Sequence, residues 1–118
     1  MAFVTAIGLQ QMRPQASTGL MAALLVSFAG IYVGAALRTG NQREVLWELA
    51  GAGAMTALAF LGLLASSWWL VVGCLAHGVW DLGHHPRALT TRIVSWWPPF
   101  CAVYDWLLAF WLTLRLLA

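Results

Sequence analysis

Residues Cys74–His85 read CLAHGVWDLGHH and place three histidines and one aspartate at the end of an apolar segment. No other apolar segment of the chain holds so many polar groups. Ionisable side chains at membrane depth cost free energy, and they are usually kept when they are paired with one another or have a function. This stretch therefore predicts a functional site at the end of an apolar segment.

The composition around this stretch is that of a membrane protein. Of the 118 residues, 62% are hydrophobic and 8% are charged, and the mean hydropathy is +0.80. Soluble globular chains carry about 25% charged residues. A transmembrane helix needs roughly 20 apolar residues, so the length leaves room for four such helices with short loops. We therefore expect an all-α fold. We expect a single transmembrane domain, residues 1–118, that forms an integral membrane four-helix bundle with short loops.

The four predicted spans cover residues 19–37, 45–65, 68–84 and 99–117. The residues before the first span are expected to form an interfacial segment or a frayed tail, and the first span is too long for a signal peptide and is expected to stay uncleaved. Ser66 and Ser67 leave almost no loop between the second and third spans, which predicts a tight antiparallel hairpin.

The arginines predict the orientation. Loops 38–44 and 86–97 hold four of the six basic residues, so the positive-inside rule places both loops in the cytoplasm and both termini outside. We expect a bacterial cytoplasmic (inner) membrane as the location. A net charge of +2 without a basic face argues against nucleic acid as a partner. Membrane lipid is the expected partner, with a homo-oligomer or a larger membrane complex as further expectations.

Helical phase gathers the polar residues of the third span. At about 100° per residue, His77, Asp81 and His84 fall within roughly 80° of one another. His85 lies at the flank of this face. The third span therefore presents imidazoles and a carboxylate in one direction.

Antiparallel threading brings this face to the level at which the second and fourth spans begin. The second span carries Glu48 there, and the fourth carries Cys101 and Asp105 one turn apart. A rise of about 1.5 Å per residue puts Asp105 at a depth similar to that of His77. We therefore expect one cavity, open to the cytoplasmic interface, to hold all these groups.

Three imidazoles and three carboxylates are enough for one or two divalent metal ions in a helical bundle. Metal binding and acid–base catalysis are both open, and for each histidine simple helix packing is the alternative. The expected catalytic residues are His77, Asp81 and Asp105, and Trp80 and Cys101 are expected to line the binding site of a cofactor or lipid-like ligand. The expected metal ligands are His77, Asp81, His84, His85, Glu48 and Asp105.

The motifs W-E at Trp47, H-x-x-W-D-x-x-H-H at His77 and C-x-x-x-D at Cys101 occur in this order. In this respect the chain resembles an uncharacterised family of small bacterial multi-span membrane proteins, a domain of unknown function. The resemblance covers about residues 47–112. It implies a shared functional set, composed of Glu48, His77, Trp80, Asp81, His84, His85, Cys101 and Asp105.

Three functions fit these observations. The first is a metal-dependent or acid–base enzyme that acts on a lipid-, isoprenoid- or quinone-like substrate near the cytoplasmic interface. The second is a non-catalytic subunit of a larger membrane complex, in which His77 ligates a haem or a pigment or the polar cluster locks the helices. The third is a proton-coupled oligomeric transporter.

Overall fold

A computed structural model describes residues 1–85 and 91–118 of the chain. The described residues contain five α-helices and no β-strand, so the all-α prediction is confirmed. The predicted number of helices, four, is wrong, because the N-terminal residues add a helix. The helices are α1 (Ala2–Gln11), α2 (Pro14–Thr39), α3 (Gln42–Leu64), α4 (Trp68–Gly83) and α5 (Trp97–Leu117).

Helix α1 forms where an interfacial segment or a frayed tail was expected before the first span, so these residues are ordered as a helix. Its Leu9 side chain is buried in the hydrophobic core. The hydroxyl of Thr5 shares a 2.8 Å hydrogen bond with the hydroxyl of Tyr104 on α5, and the Arg115 guanidinium donates to the Leu9 carbonyl at 3.2 Å. An isolated helix of this length is marginal, so these contacts with α5 are what stabilise it.

The boundaries of α2 and α3 follow from local sequence. Helix α2 starts at Pro14, where proline is favoured because its missing N–H needs no partner. It ends before Gly40, whose φ of 68° lies in the left-handed region that glycine adopts without steric cost. Asn41 then caps α3 by accepting the backbone N–H of Arg43 at 3.0 Å. The two helices are therefore joined by a short turn whose conformation these residues favour.

Helices α2, α3 and α5 are long and apolar enough to cross a membrane, with mean hydropathies of 2.2, 1.5 and 1.5 in their most apolar windows. Helix α4, the predicted third span, has 16 residues, fewer than the roughly 20 that usually cross a bilayer. The chain is thus consistent with a multi-pass membrane protein.

Helix α4 occupies the centre of the bundle and contacts α2, α3 and α5. Helices α3 and α5 approach α4 closely at positions where one of the two facing residues is a glycine. A Cβ added at Gly51 on α3 would lie 2.6 Å from the Trp80 indole, and a Cβ at Gly78 would overlap the indole of Trp106 on α5. Close packing on both sides encloses the polar residues of α4 between its neighbours.

Candidate functional site

His77 on α4 lies between two carboxylates at the centre of the bundle. Its Nδ1 is 2.6 Å from Oδ2 of Asp105 on α5 and 3.3 Å from Oδ2 of Asp81 one helical turn along α4. The shorter contact is a hydrogen bond. His77 and Asp81 are completely buried, and Asp105 is 2% exposed. The predicted proximity of these three residues is therefore present in the structure.

Tyr32 on α2 completes this cluster from a third helix. Its hydroxyl donates a 2.6 Å hydrogen bond to Oδ1 of Asp81, and its side chain is 1% exposed. The sequence analysis missed this residue. The available signal was a tyrosine inside an apolar segment, because a buried tyrosine hydroxyl usually has a hydrogen-bond partner.

Two polar atoms of the cluster lack a hydrogen bond within the described part of the chain. They are Nε2 of His77 and Oδ2 of Asp81, and both are buried. Most buried polar groups in proteins are hydrogen-bonded, so these atoms indicate that the cluster has capacity for a further ligand. One ligand atom from each of His77, Asp81 and Asp105 can be chosen so that all lie within 4.8 Å of one another. The cluster could hold a metal ion.

His84 and Glu48 form a second buried cluster near the C-terminal end of α4. Nε2 of His84 lies 2.7 Å from Oε1 of Glu48 on α3. The same oxygen accepts from the hydroxyl of Thr91 at 2.7 Å, and Oε2 accepts from the Trp80 indole at 3.2 Å. Glu48 is thus held by three side chains, two from the end of α4 and one from the segment that leads into α5. Thr91 was missed from the sequence because a threonine in a connecting segment follows no helical periodicity that would mark it.

The two clusters meet at Tyr32. Its ring lies 4.1 Å from the ring of His84, centroid to centroid, and 6.3 Å from the ring of His77. The predicted polar residues therefore form two adjacent buried groups, where one cavity open to the interface was expected. Both groups lie on a single face of α4. Helices α5 and α2 cover the middle of this face, and α3 covers its C-terminal end.

Three further residues of the predicted site are neither carboxylates nor histidines that pair with a carboxylate. His85 is exposed and belongs to neither cluster. Cys101 is buried and is not disulfide-bonded, like Cys74. Trp80 contacts Glu48 and lies beside His84. Part of the loop expected at 86–97, residues 86–90, lies outside the described residues.

Comparisons with known proteins place the chain in a family without assigning a reaction. No curated protein and no solved structure matches the chain significantly. The sequence matches the family of unknown function DUF6010 over residues 1–116. The match covers nearly the whole chain, and the resemblance to an uncharacterised family is thereby confirmed. The protein that carries this buried histidine–aspartate cluster is a member of the family of unknown function DUF6010.

Proposed function

We propose that this protein is a membrane metalloenzyme whose divalent cation is bound by His77, Asp81 and Asp105. The observation that carries the proposal is that one ligand atom from each of these buried residues lies within 4.8 Å of the others. In the same cluster, the buried atoms His77 Nε2 and Asp81 Oδ2 lack hydrogen-bond partners among the described residues. An imidazole and two carboxylates form a donor set suited to Zn²⁺, Mn²⁺ or Fe²⁺.

Charge balance supports a cation at this position. If both aspartates are ionised and the imidazole is neutral, the cluster would carry two negative charges in a region screened from water. Uncompensated buried charge is expensive. A divalent cation would balance both carboxylates at once, whereas protonation of His77 would balance only one of them.

The surrounding residues have defined tasks in this proposal. Tyr32 holds Asp81 through its 2.6 Å hydrogen bond, and such contacts to a ligand commonly orient it and raise metal affinity. Within reach of substrate, a bound divalent cation would polarise a carbonyl or phosphoryl oxygen or activate a water molecule. The substrate class that suits a site enclosed by apolar helices is a lipid-, isoprenoid- or quinone-like molecule.

The proposed setting is the bacterial cytoplasmic membrane. Helix α4 would be the third of four passes, since it lies between two helices that are long enough to span and carries polar residues that need enclosure. The chain would form a single domain with its termini outside and its arginine-bearing loops in the cytoplasm. Membrane lipid, a homo-oligomer or a larger complex are its proposed partners.

Metal content tests this proposal directly. Detergent-purified protein is loaded with Zn²⁺ or Mn²⁺, dialysed and measured by elemental mass spectrometry. We expect about one ion per chain in the wild type and loss of the ion in His77→Gln and Asp105→Asn. The matched control is His85→Gln, which replaces an exposed histidine and should leave the metal content unchanged. A folded wild type without metal, or equal metal in all four proteins, would contradict the proposal.

Proton transfer is the second candidate function. It is favoured by the position of His77 Nδ1 between two carboxylates, because an imidazole between acids can pass a proton. Proton flux into proteoliposomes that is abolished in Asp81→Asn, together with absence of metal, would support this function in place of the first. A subunit that binds a haem or a pigment would instead show visible absorbance after purification.

A further inference from the structure

A groove on the surface of α2 contains two arginines and apolar walls. It has a volume of about 480 Å³ and lies between α2 and the segment that follows the undescribed residues. Ile31, Ala35 and Arg38 contribute one wall. They are spaced four and three residues apart and so share a face of α2. The opposite wall consists of Arg92, Ile93 and Val94.

The arginines of the groove have no acidic partner among the described residues. The chain has four acidic residues in total, and none of them lines the groove. The described ion pairs of Glu48, Asp81 and Asp105 are all with histidines, and Glu44 accepts hydrogen bonds from Thr39 and Asn41. The groove therefore has a positive charge that nothing described within the chain balances.

We propose that this groove binds the headgroup and upper chain of a phosphate-bearing lipid. Guanidinium groups bind phosphate oxygens through paired charge-assisted hydrogen bonds. Ile31, Ala35, Ile93 and Val94 supply the apolar surface that a hydrocarbon chain requires. The volume falls within the range of small-molecule sites, which is roughly 300–1,000 Å³.

The arrangement of charge along the groove matches that of a membrane lipid. Arg38 belongs to the last turn of α2 and Ile31 lies seven residues before it, a separation of about 10 Å along the helix axis. The charged end is thus at the end of an apolar helix, where headgroups lie, and the apolar end extends toward the membrane interior. The negative surface potential of anionic lipids also attracts arginine side chains at this level of the membrane.

Residues that line the groove are sequence neighbours of residues in the buried clusters. Ile31 precedes Tyr32, whose hydroxyl bonds Asp81, and Arg92 follows Thr91, whose hydroxyl bonds Glu48. A lipid in the groove would therefore lie against the two elements that hold the polar residues. This inference rests on the proposed function for its membrane setting, and it deepens that function by assigning a phosphate group to the lipid-like substrate.

Native mass spectrometry of the full chain in detergent tests the inference, with phosphatidylglycerol as the probe. Diacylglycerol with the same acyl chains and inorganic phosphate are the comparison ligands. We expect saturable binding of one phosphatidylglycerol and at least about tenfold weaker binding of each comparison ligand. Equal binding of diacylglycerol would overturn the role of the arginines, and equal binding of inorganic phosphate would overturn the assignment to a lipid.

Variants locate the binding to the groove. The double variant Arg38→Gln/Arg92→Gln should weaken phosphatidylglycerol binding at least about tenfold. The control Arg43→Gln removes an exposed arginine that does not line the groove and should bind like the wild type. Ala35→Phe fills the groove while retaining both arginines, and it should also abolish binding. Unchanged binding in folded Ala35→Phe, or equal loss in Arg43→Gln, would refute the proposed site.

The metal measurement separates this inference from the proposed function. The groove variants leave His77, Asp81 and Asp105 unaltered and should retain the wild-type metal content. Lipid binding in a protein without metal would overturn the metalloenzyme and leave the groove assignment intact. Metal binding without saturable lipid binding would have the opposite consequence.

Discussion

Replacement of Tyr32 by phenylalanine removes one oxygen atom from the centre of the bundle and tests whether α2 contributes to the metal site. In the wild type the Tyr32 hydroxyl donates to Oδ1 of Asp81 at 2.6 Å. The other oxygen of Asp81 already lacks a hydrogen bond among the described residues. In Tyr32→Phe the Asp81 carboxylate would therefore keep only its 3.3 Å contact with Nδ1 of His77 among these residues.

Two magnitudes follow from this loss. A hydrogen bond to a charged group contributes roughly 1.5–3 kcal/mol, so we expect the free energy of unfolding to fall by about 2 kcal/mol. Loss of a hydrogen bond that orients a metal ligand usually lowers affinity by about 10- to 100-fold. We therefore expect the Kd for Zn²⁺ to rise at least about tenfold.

The second tyrosine of the chain supplies a matched control. Tyr104 precedes Asp105 on α5, but among the described residues its hydroxyl bonds to the hydroxyl of Thr5 on α1 and to no carboxylate. Tyr104→Phe removes the same atom but breaks a neutral hydrogen bond, which contributes about 0.5–1.5 kcal/mol. It should lower stability slightly and leave the Zn²⁺ affinity unchanged.

Isothermal titration calorimetry with Zn²⁺ and equilibrium unfolding in SDS provide the two measurements. A purely structural role for Tyr32 would lower stability in Tyr32→Phe and leave the Kd at the wild-type value. That result, or an equal change of Kd in both tyrosine variants, would refute the positioning of Asp81 by Tyr32.

Further predictions concern the packing and capping of the same helices. His84→Ala leaves the buried Glu48 carboxylate without its imidazole and should destabilise the protein by about 3–5 kcal/mol, measured by unfolding in SDS; wild-type stability would show that the pair is not buried together. Gly78→Ala forces the Trp106 indole away from α4 and should lower the free energy of unfolding by about 1–3 kcal/mol. The control Gly53→Ala, whose Cβ meets open space, should not destabilise the protein. Equal thermal stability of the two variants would contradict the close approach of α5. Asn41→Ala removes the cap of α3 and should cost about 1 kcal/mol, and an unchanged midpoint of unfolding would argue against the capping contact.

The positions of α2, α3 and α5 were predictable from sequence with errors of a few residues. Long apolar segments predict helices because the backbone must form its own hydrogen bonds wherever water is absent. The boundary errors arise from local capping, since Pro14 starts α2 five residues before the predicted span and Asn41 starts α3 before its apolar residues begin. Helix α1 was missed because its stability comes from contacts with α5 that lie about a hundred residues away in the chain.

The juxtaposition of His77, Asp81 and Asp105 also followed from sequence. Helical periodicity puts the first two on one face, and antiparallel threading brings the third to the same depth. These two placements depend only on the pitch of a helix and the direction of the chain. Neither the rotation of each helix about its axis nor the identity of the neighbour on each side enters them.

Those two properties depend on tertiary packing, and they divide the predicted site in two. His84 shares the face of His77, but it lies at the end of α4, where α3 presents Glu48. The middle of the same face meets α5 and Tyr32 of α2. Periodicity and hydropathy thus predicted the helices and the face that carries the polar groups, because both depend on residues close in sequence. Tertiary packing of distant helices decided which side chains pair with His77 and His84. It also decided that Tyr32 and Thr91 take part and that His85 is exposed. Side-chain volumes, such as Gly51 against Trp80, set the rotation of each helix about its axis.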